Sequence, residues 1–148
     1  MYTAYGIVIV SLIASALVLI NVLLHYEVLN WLAKFLDRVA WVGRPRIALL
    51  ICALLMVHIV EIWIFAGGFL AAEWHGSLGG LEGKEGPVLL DYVYYSSMTY
   101  TTVGYGDLLP IGPIRFIAAM EALLGLMLIT WSASFTYLEM QRFWRQRR

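Results

Sequence analysis

Apolar residues run almost unbroken through three long stretches of this chain, and charged residues gather between and beyond them. Tyr5 to Leu24 is twenty residues without a charge, and at 1.5 Å per residue such a helix crosses a hydrocarbon core of about 30 Å. A second run extends from about Ile47 to Ala71 and a third from about Pro113 to Tyr137. The apolar stretch between them, Val88 to Val103, is too short and too rich in hydroxyls to cross. It predicts a re-entrant segment, with a short helix over Leu89 to Tyr100, tolerated at membrane depth because protein surrounds it. The expected fold class is therefore all-α integral membrane, with three transmembrane helices and one re-entrant helix per chain. The expected divisions are residues 1–46, 47–137 and 138–148, the last a short basic tail.

Between the first two runs the period changes. From Glu27 to Trp41 the polar residues Asn30, Lys34, Asp37 and Arg38 share one helical face and Val28, Leu29, Leu32, Phe35, Leu36 and Val39 the other. The pattern predicts a separate amphipathic helix lying flat in the inner interface, with Trp31 and Trp41 at interfacial depth and Gly43 and Pro45 breaking it from the second span. It serves either as a coupling element or as a plain anchor. The glycine-rich stretch from Glu73 to Pro87 predicts an exposed loop. Pro87 suits a first helical turn, and Asp91 suits the positive end of the short helix. The first run lacks a basic leader, and Ala14-Ser15-Ala16 falls inside it, so a retained span is expected rather than a cleaved signal peptide.

Composition agrees with a membrane protein: 61% of the 148 residues are hydrophobic, 14% are charged, and the formal net charge is zero. Charge placement orients the chain. With the N-terminus outside, the inner segments hold Lys34, Arg38, Arg44, Arg46, Arg142, Arg145, Arg147 and Arg148 against Glu27, Asp37 and Glu139, as the positive-inside rule requires. The outer segments hold Glu73, Glu82, Glu85, Asp91 and Asp107 against Lys84 and Arg115, a balance that concentrates cations at the outer face. The single Cys52 lies within the second span and excludes intrachain disulfides.

The chemistry is concentrated in Thr101-Thr102-Val103-Gly104-Tyr105-Gly106-Asp107. A backbone that turns successive carbonyl oxygens to one side replaces the hydration shell of a potassium ion when four such strands face one axis. Gly104 and Gly106 supply the backbone angles that residues with side chains resist, and the Thr102 hydroxyl can complete the innermost cage. One copy per chain calls for four chains. A glycine-rich turn or phosphate loop would leave the flanking spans unexplained.

With its short preceding helix and a long apolar helix on each side, this heptamer resembles the selectivity filter of the tetrameric potassium channel pore domains, of the small prokaryotic type. The resemblance covers about Ile47 to Tyr137. It implies a homotetramer in the cell membrane, surrounded by lipid, that conducts K+ passively at Thr102, Val103, Gly104, Tyr105 and Gly106. Potassium is the permeant ion and no cofactor is implied. A weakly selective cation channel and a non-conducting regulatory subunit are the alternatives. The resemblance also places an aromatic cuff at Tyr94 to Tyr100, in which Tyr95 is expected to reach Asp107 and support the filter, unless both groups simply meet water. Many relatives carry a glutamate where this chain has Met98. Gly125, near the middle of the inner helix, is a candidate hinge or a close-packing position. Beyond it, Leu128, Ser132 and Phe135 are candidates to line the cavity or the bundle crossing, with a facing that the sequence does not give.

Three ionisable residues lie at depth: His58, Glu61 and Glu121. Intramembrane charge is costly enough to mark function. Glu61 and Glu121 reach a similar level, close to the base of the filter, so Glu121 can replace the brace missing at Met98, while His58 and Glu61 are candidate gating residues one helical turn apart. The alternative is that pore-helix hydroxyls satisfy these groups and they have no sensing role. No span carries arginine at every third position, so a voltage sensor of the usual type is not expected. The first span is expected to wrap the pore domain, with Ser11, Ser15 and nearby alanines allowing close contact. No nucleotide loop, metal-ligand motif or nucleophile with its base appears in the sequence, which argues against an enzyme and against a nucleic-acid partner.

Overall fold

A computed structural model describes residues 4–38, 44–83 and 87–145. Val39, Trp41, Gly43, Lys84, Glu85, Arg147 and Arg148 lie outside the described residues. The chain forms α1 (Ala4–Arg38), α2 (Arg44–Trp74), β1 (Gly80–Glu82), α3 (Leu89–Tyr100), β2 (Leu109–Ile111) and α4 (Arg115–Arg145). Three of these helices, α1, α2 and α4, are long and apolar enough to span a membrane. The short α3 has the expected limits and sits between α2 and α4.

Residues 27–38 do not form a separate interfacial helix. They continue α1, which runs unbroken for 35 residues, about 52 Å. The reason lies in its buried stripe. Val10, Ala14, Leu17, Asn21, His25, Leu29, Leu32 and Leu36 are all buried and recur every three or four residues without a change of phase. The apolar face seen after Glu27 is the continuation of that stripe. Leu29, Leu32 and Leu36 pack against Leu50 and Leu54 of α2, with Phe135 of α4 beside them. The outer half of the stripe, Val10, Ala14 and Leu17, joins a larger core with Phe65, Phe69, Ile114, Ile117 and Leu124. Ser11 caps the Ile7 carbonyl at 2.8 Å, and it is Ala14 rather than Ser15 that lies in the buried contact.

The loop after α2 is more ordered than its glycines suggest. β1 pairs antiparallel with β2, Leu81 opposite Pro110, so the turret is stitched to the segment that follows the filter motif. Gly79 makes this possible. Its φ is +93°, and a Cβ there would stand 1.7 Å from the Ile111 carbonyl oxygen. Glu73 at the end of α2 accepts the Leu81 N–H at 3.1 Å. Burial, together with a hydrogen bond to Glu73, pushes the Tyr92 phenol up to about 12. The carboxylate thus ties strand, outer helix and α3 together. Pro87 precedes the helix rather than starting it: Val88 is the N-cap, and its N–H donates to Asp91 Oδ2 at 2.8 Å, where a carboxylate also complements the positive helix end.

At its C-terminal end α4 stays helical past Tyr137 to Arg145, so the expected tail begins as helix. Glu139 accepts from Arg46 at 3.2 Å and from Arg142 at 2.8 Å, fastening the start of α2 to the end of α4.

Candidate pore site and a buried polar knot

The filter motif grows out of the C-terminus of α3. The last carbonyls of that helix are not left bare: Ser97 O accepts the Thr101 N–H at 3.2 Å, Thr99 O accepts Thr102 N–H at 3.0 Å, and Met98 O accepts Gly104 N–H at 3.1 Å. The Thr101 hydroxyl adds a 2.7 Å bond to Ser97 O. From this anchored base the backbone alternates. Thr102, Gly104 and Gly106 have φ of 61°, 54° and 81°, with Val103 and Tyr105 between them in ordinary territory. Among the described residues Thr102 is the only non-glycine with positive φ, a conformation costing about 1–3 kcal/mol that persists where surrounding structure enforces it. Every residue from Thr101 to Asp107 is exposed in the single chain, Tyr105 to 72%.

The aromatic cuff is arranged differently from the expectation. It is Tyr94, not Tyr95, whose phenol comes within reach of the Asp107 carboxylate. Tyr95 is buried, edge-on to Phe69 with ring centroids 5.0 Å apart, and its phenol lies near Thr99. Adjacent residues on a helix point about 100° apart, so only one of the two tyrosines can face the filter end.

Glu121 and Glu61 both press on α3, at different turns. Glu121 is fully buried and its Oε1 meets the Ser96 hydroxyl, which also lies 2.8 Å from the Ile62 carbonyl oxygen. The contact braces the pore helix between α2 and α4 rather than touching a filter residue. Gly125, one turn further along α4, lets the helix approach the end of α3: a Cβ there would stand 2.2 Å from the Tyr100 carbonyl oxygen. Its position is one of close packing. Leu128 and Ser132 are buried inside the chain and Phe135 packs on α1 and α2, whereas Leu123, Leu126, Met127, Thr130 and Ser134 form the exposed side of α4. Leu128 and Ser132, two of the candidate lining residues, therefore turn into the subunit.

Glu61 belongs to a knot that joins all four helices. His25 Nδ1 lies 2.8 Å from Glu61 Oε1, His58 Nδ1 lies 3.0 Å from Glu61 Oε2, and the Tyr100 hydroxyl donates to Oε2 at 2.6 Å. Ser132 Oγ stands 3.0 Å from His58 Nε2 and 3.3 Å from His25 Nε2. The indole of Trp131 covers His25, ring centroids 5.3 Å apart. His58 and Glu61 were legible as a pair because i and i+3 share a helical face. His25 was missed, although Asn21 and His25, four residues apart in an apolar helix, are the available signal.

A family model described as an ion channel matches residues 49–141. Two curated relatives, both named Protein LctB, from Geobacillus stearothermophilus and Bacillus caldotenax, are each 55% identical over 38 residues. These matches cover 26% of this chain and 28% of each relative, so they span little more than a quarter of the curated proteins. No solved structure matches the chain.

Proposed function

The chain belongs to the ion channel family, and we propose that it is a potassium-selective channel in which four copies place Thr102 to Gly106 around one axis. The observation that carries this reading is the alternation of left-handed residues at Thr102, Gly104 and Gly106. In an ordinary strand successive carbonyls point to opposite sides. Flipping every second residue turns them toward the same side, the arrangement a dehydrated potassium ion needs. The exposure of Val103 and Tyr105, at 53% and 72%, supports the tetramer, because a membrane protein covers such a segment with protein rather than lipid. Conduction is passive and needs no catalytic group or cofactor.

In this reading Tyr94 and Asp107 steady the outer end of the filter, Glu121 and Ser96 hold the pore helix, and the exposed side of α4 faces the cavity. The first helix is built into each subunit and presents Leu12, Leu19 and Leu23 to lipid, all exposed in the chain. The N-terminus lies outside and the C-terminus in the cytoplasm, across the cell membrane, because the basic residues cluster at the end of α1, the start of α2 and the end of α4.

The deciding experiment is the reversal potential of the purified protein in bilayers under opposed potassium and sodium gradients. A reversal near the potassium equilibrium potential is expected. Equal permeability would instead assign a weakly selective cation channel, and absence of current from a correctly folded tetramer would assign a regulatory subunit.

A further inference from the structure

We propose that His25, His58 and Glu61 form an intramembrane binding site for a divalent transition-metal ion of the zinc class. The three offer one ligand atom each, all within 4.8 Å of one another. Two imidazoles and a carboxylate are a donor set zinc accepts readily. With bonds of about 2.0–2.1 Å, tetrahedral ligand atoms stand about 3.3 Å apart, against 2.8 Å from His25 Nδ1 to Glu61 Oε1 and 3.0 Å from His58 Nδ1 to Glu61 Oε2, so both imidazoles already approach the carboxylate at a ligand-to-ligand distance. His58 and Glu61 come from one turn of α2 and His25 from the facing α1, the way helical bundles assemble metal sites from i, i+3 pairs.

Hydrogen counting supplies a second, independent argument. Take Glu61 ionised and both imidazoles neutral, so that each ring carries one N–H. If both rings donate from Nδ1 to Glu61, both Nε2 lone pairs face Ser132, whose hydroxyl has one hydrogen to give. If one ring donates from Nε2 to Ser132 instead, its bare Nδ1 lone pair faces the carboxylate. Either way three hydrogens serve the four contacts of the circuit Glu61, His25, Ser132, His58, where His25 and Glu61 are fully buried, and the Tyr100 hydrogen, donated to Glu61 Oε2 at 2.6 Å, makes up the fourth only by turning to His58 Nδ1 at 2.9 Å. A cation bound by both Nδ1 atoms and the carboxylate removes the deficit. Each ring then carries its hydrogen on Nε2, and the two lone pairs of Ser132 Oγ accept both, at 3.0 and 3.3 Å. That is the outer hydrogen bonding by which metal-bound histidines are oriented. The Tyr100 oxygen, 2.6 Å from Glu61 Oε2 and 2.9 Å from His58 Nδ1, stands next to the fourth position.

An ion there clamps α1 to α2 and fixes Tyr100 at the end of the pore helix, so its occupancy would bear on the pore from behind. The site makes no use of the filter, and its test is independent of ion flux. The full-length protein in detergent, stripped with chelator, should bind one equivalent of cobalt(II) per chain with the visible absorption of a tetrahedral site, and zinc(II) should displace it. Zinc should raise the unfolding temperature of the wild type. Ser132→Ala keeps every ligand and should weaken cobalt binding about tenfold or more. His25→Gln and Glu61→Gln should abolish the tetrahedral spectrum, and those that fold should lose the zinc-induced shift. The proposal is overturned if the folded wild type binds no stoichiometric cobalt or zinc, which would leave an extra proton as the means of closing the circuit, or if Ser132→Ala and His25→Gln bind metal as the wild type does.

Discussion

Two kinds of glycine stand close together in this molecule. A Cβ on Gly104 or Gly106 would meet nothing within 4 Å in the single chain, yet both have left-handed backbones. Gly125 has an ordinary helical backbone, and a Cβ there would run into the Tyr100 carbonyl. The filter glycines are present for their torsion angles and the helix glycine for its lack of volume. The contrast extends to the surroundings: the filter strand is open on the side where other subunits would sit, while the support behind it is packed and hydrogen-bonded within one chain. In the proposed channel, function is concentrated where the single subunit is incomplete, and rigidity where it is complete.

The largest effect should come from Gly104→Ala. A side chain resists the left-handed angle, four times over in the proposed tetramer, so potassium flux should vanish while membrane insertion and tetramer yield persist. Potassium-selective flux undiminished in reconstituted vesicles would refute the filter assignment. Next is Gly125→Ala, where the obstacle is backbone and cannot swing aside. Overpacking of this kind costs about 1–3 kcal/mol, so the unfolding temperature should fall markedly. A variant of unchanged stability with altered opening would make Gly125 a hinge instead.

A smaller effect is expected from Glu121→Gln, which keeps the shape but alters the bond to Ser96. The loss is on the order of 1 kcal/mol, and it should appear as a changed inactivation rate with reversal potential unmoved, because no filter carbonyl is touched. Altered selectivity would contradict a role confined to the pore helix. The two tyrosines separate in the same way: Tyr94→Phe removes the phenol within reach of Asp107 and should speed inactivation, whereas Tyr95→Phe removes only a phenol near Thr99 and should alter stability alone. Single-channel recordings of the pair decide between them. Gly68→Ala should do least. Its added methyl would first meet the Leu17 side chain, the terminal carbons foremost, which can rotate away, so a stability change under about 1.5 kcal/mol is expected in thermal unfolding.

Hydropathy and the heptamer were enough to read the three long helices, the limits of α3 and the residues of the filter motif, because helix length against bilayer thickness and the glycine requirement are both local properties of the chain. The buried stripe of α1 was legible too, since Leu29, Leu32 and Leu36 keep the phase set by Val10, Ala14 and Leu17. Its polar exterior after Glu27 was instead read as a sign of an interface-bound helix. What the one-dimensional pattern could not supply was rotation. Tyr94 and Tyr95 differ by about 100° about the axis of α3, and only packing against Phe69 decides which of them faces Asp107. The same holds for Ser132, by position a candidate for the cavity or bundle crossing but turned inward to two imidazoles, and for His25, which gains its meaning only from α2 lying against it. Which elements form was decided by short-range chemistry in the sequence. Which side chains meet was decided by the azimuth of each helix in the packed structure, because that angle is set by all its neighbours at once.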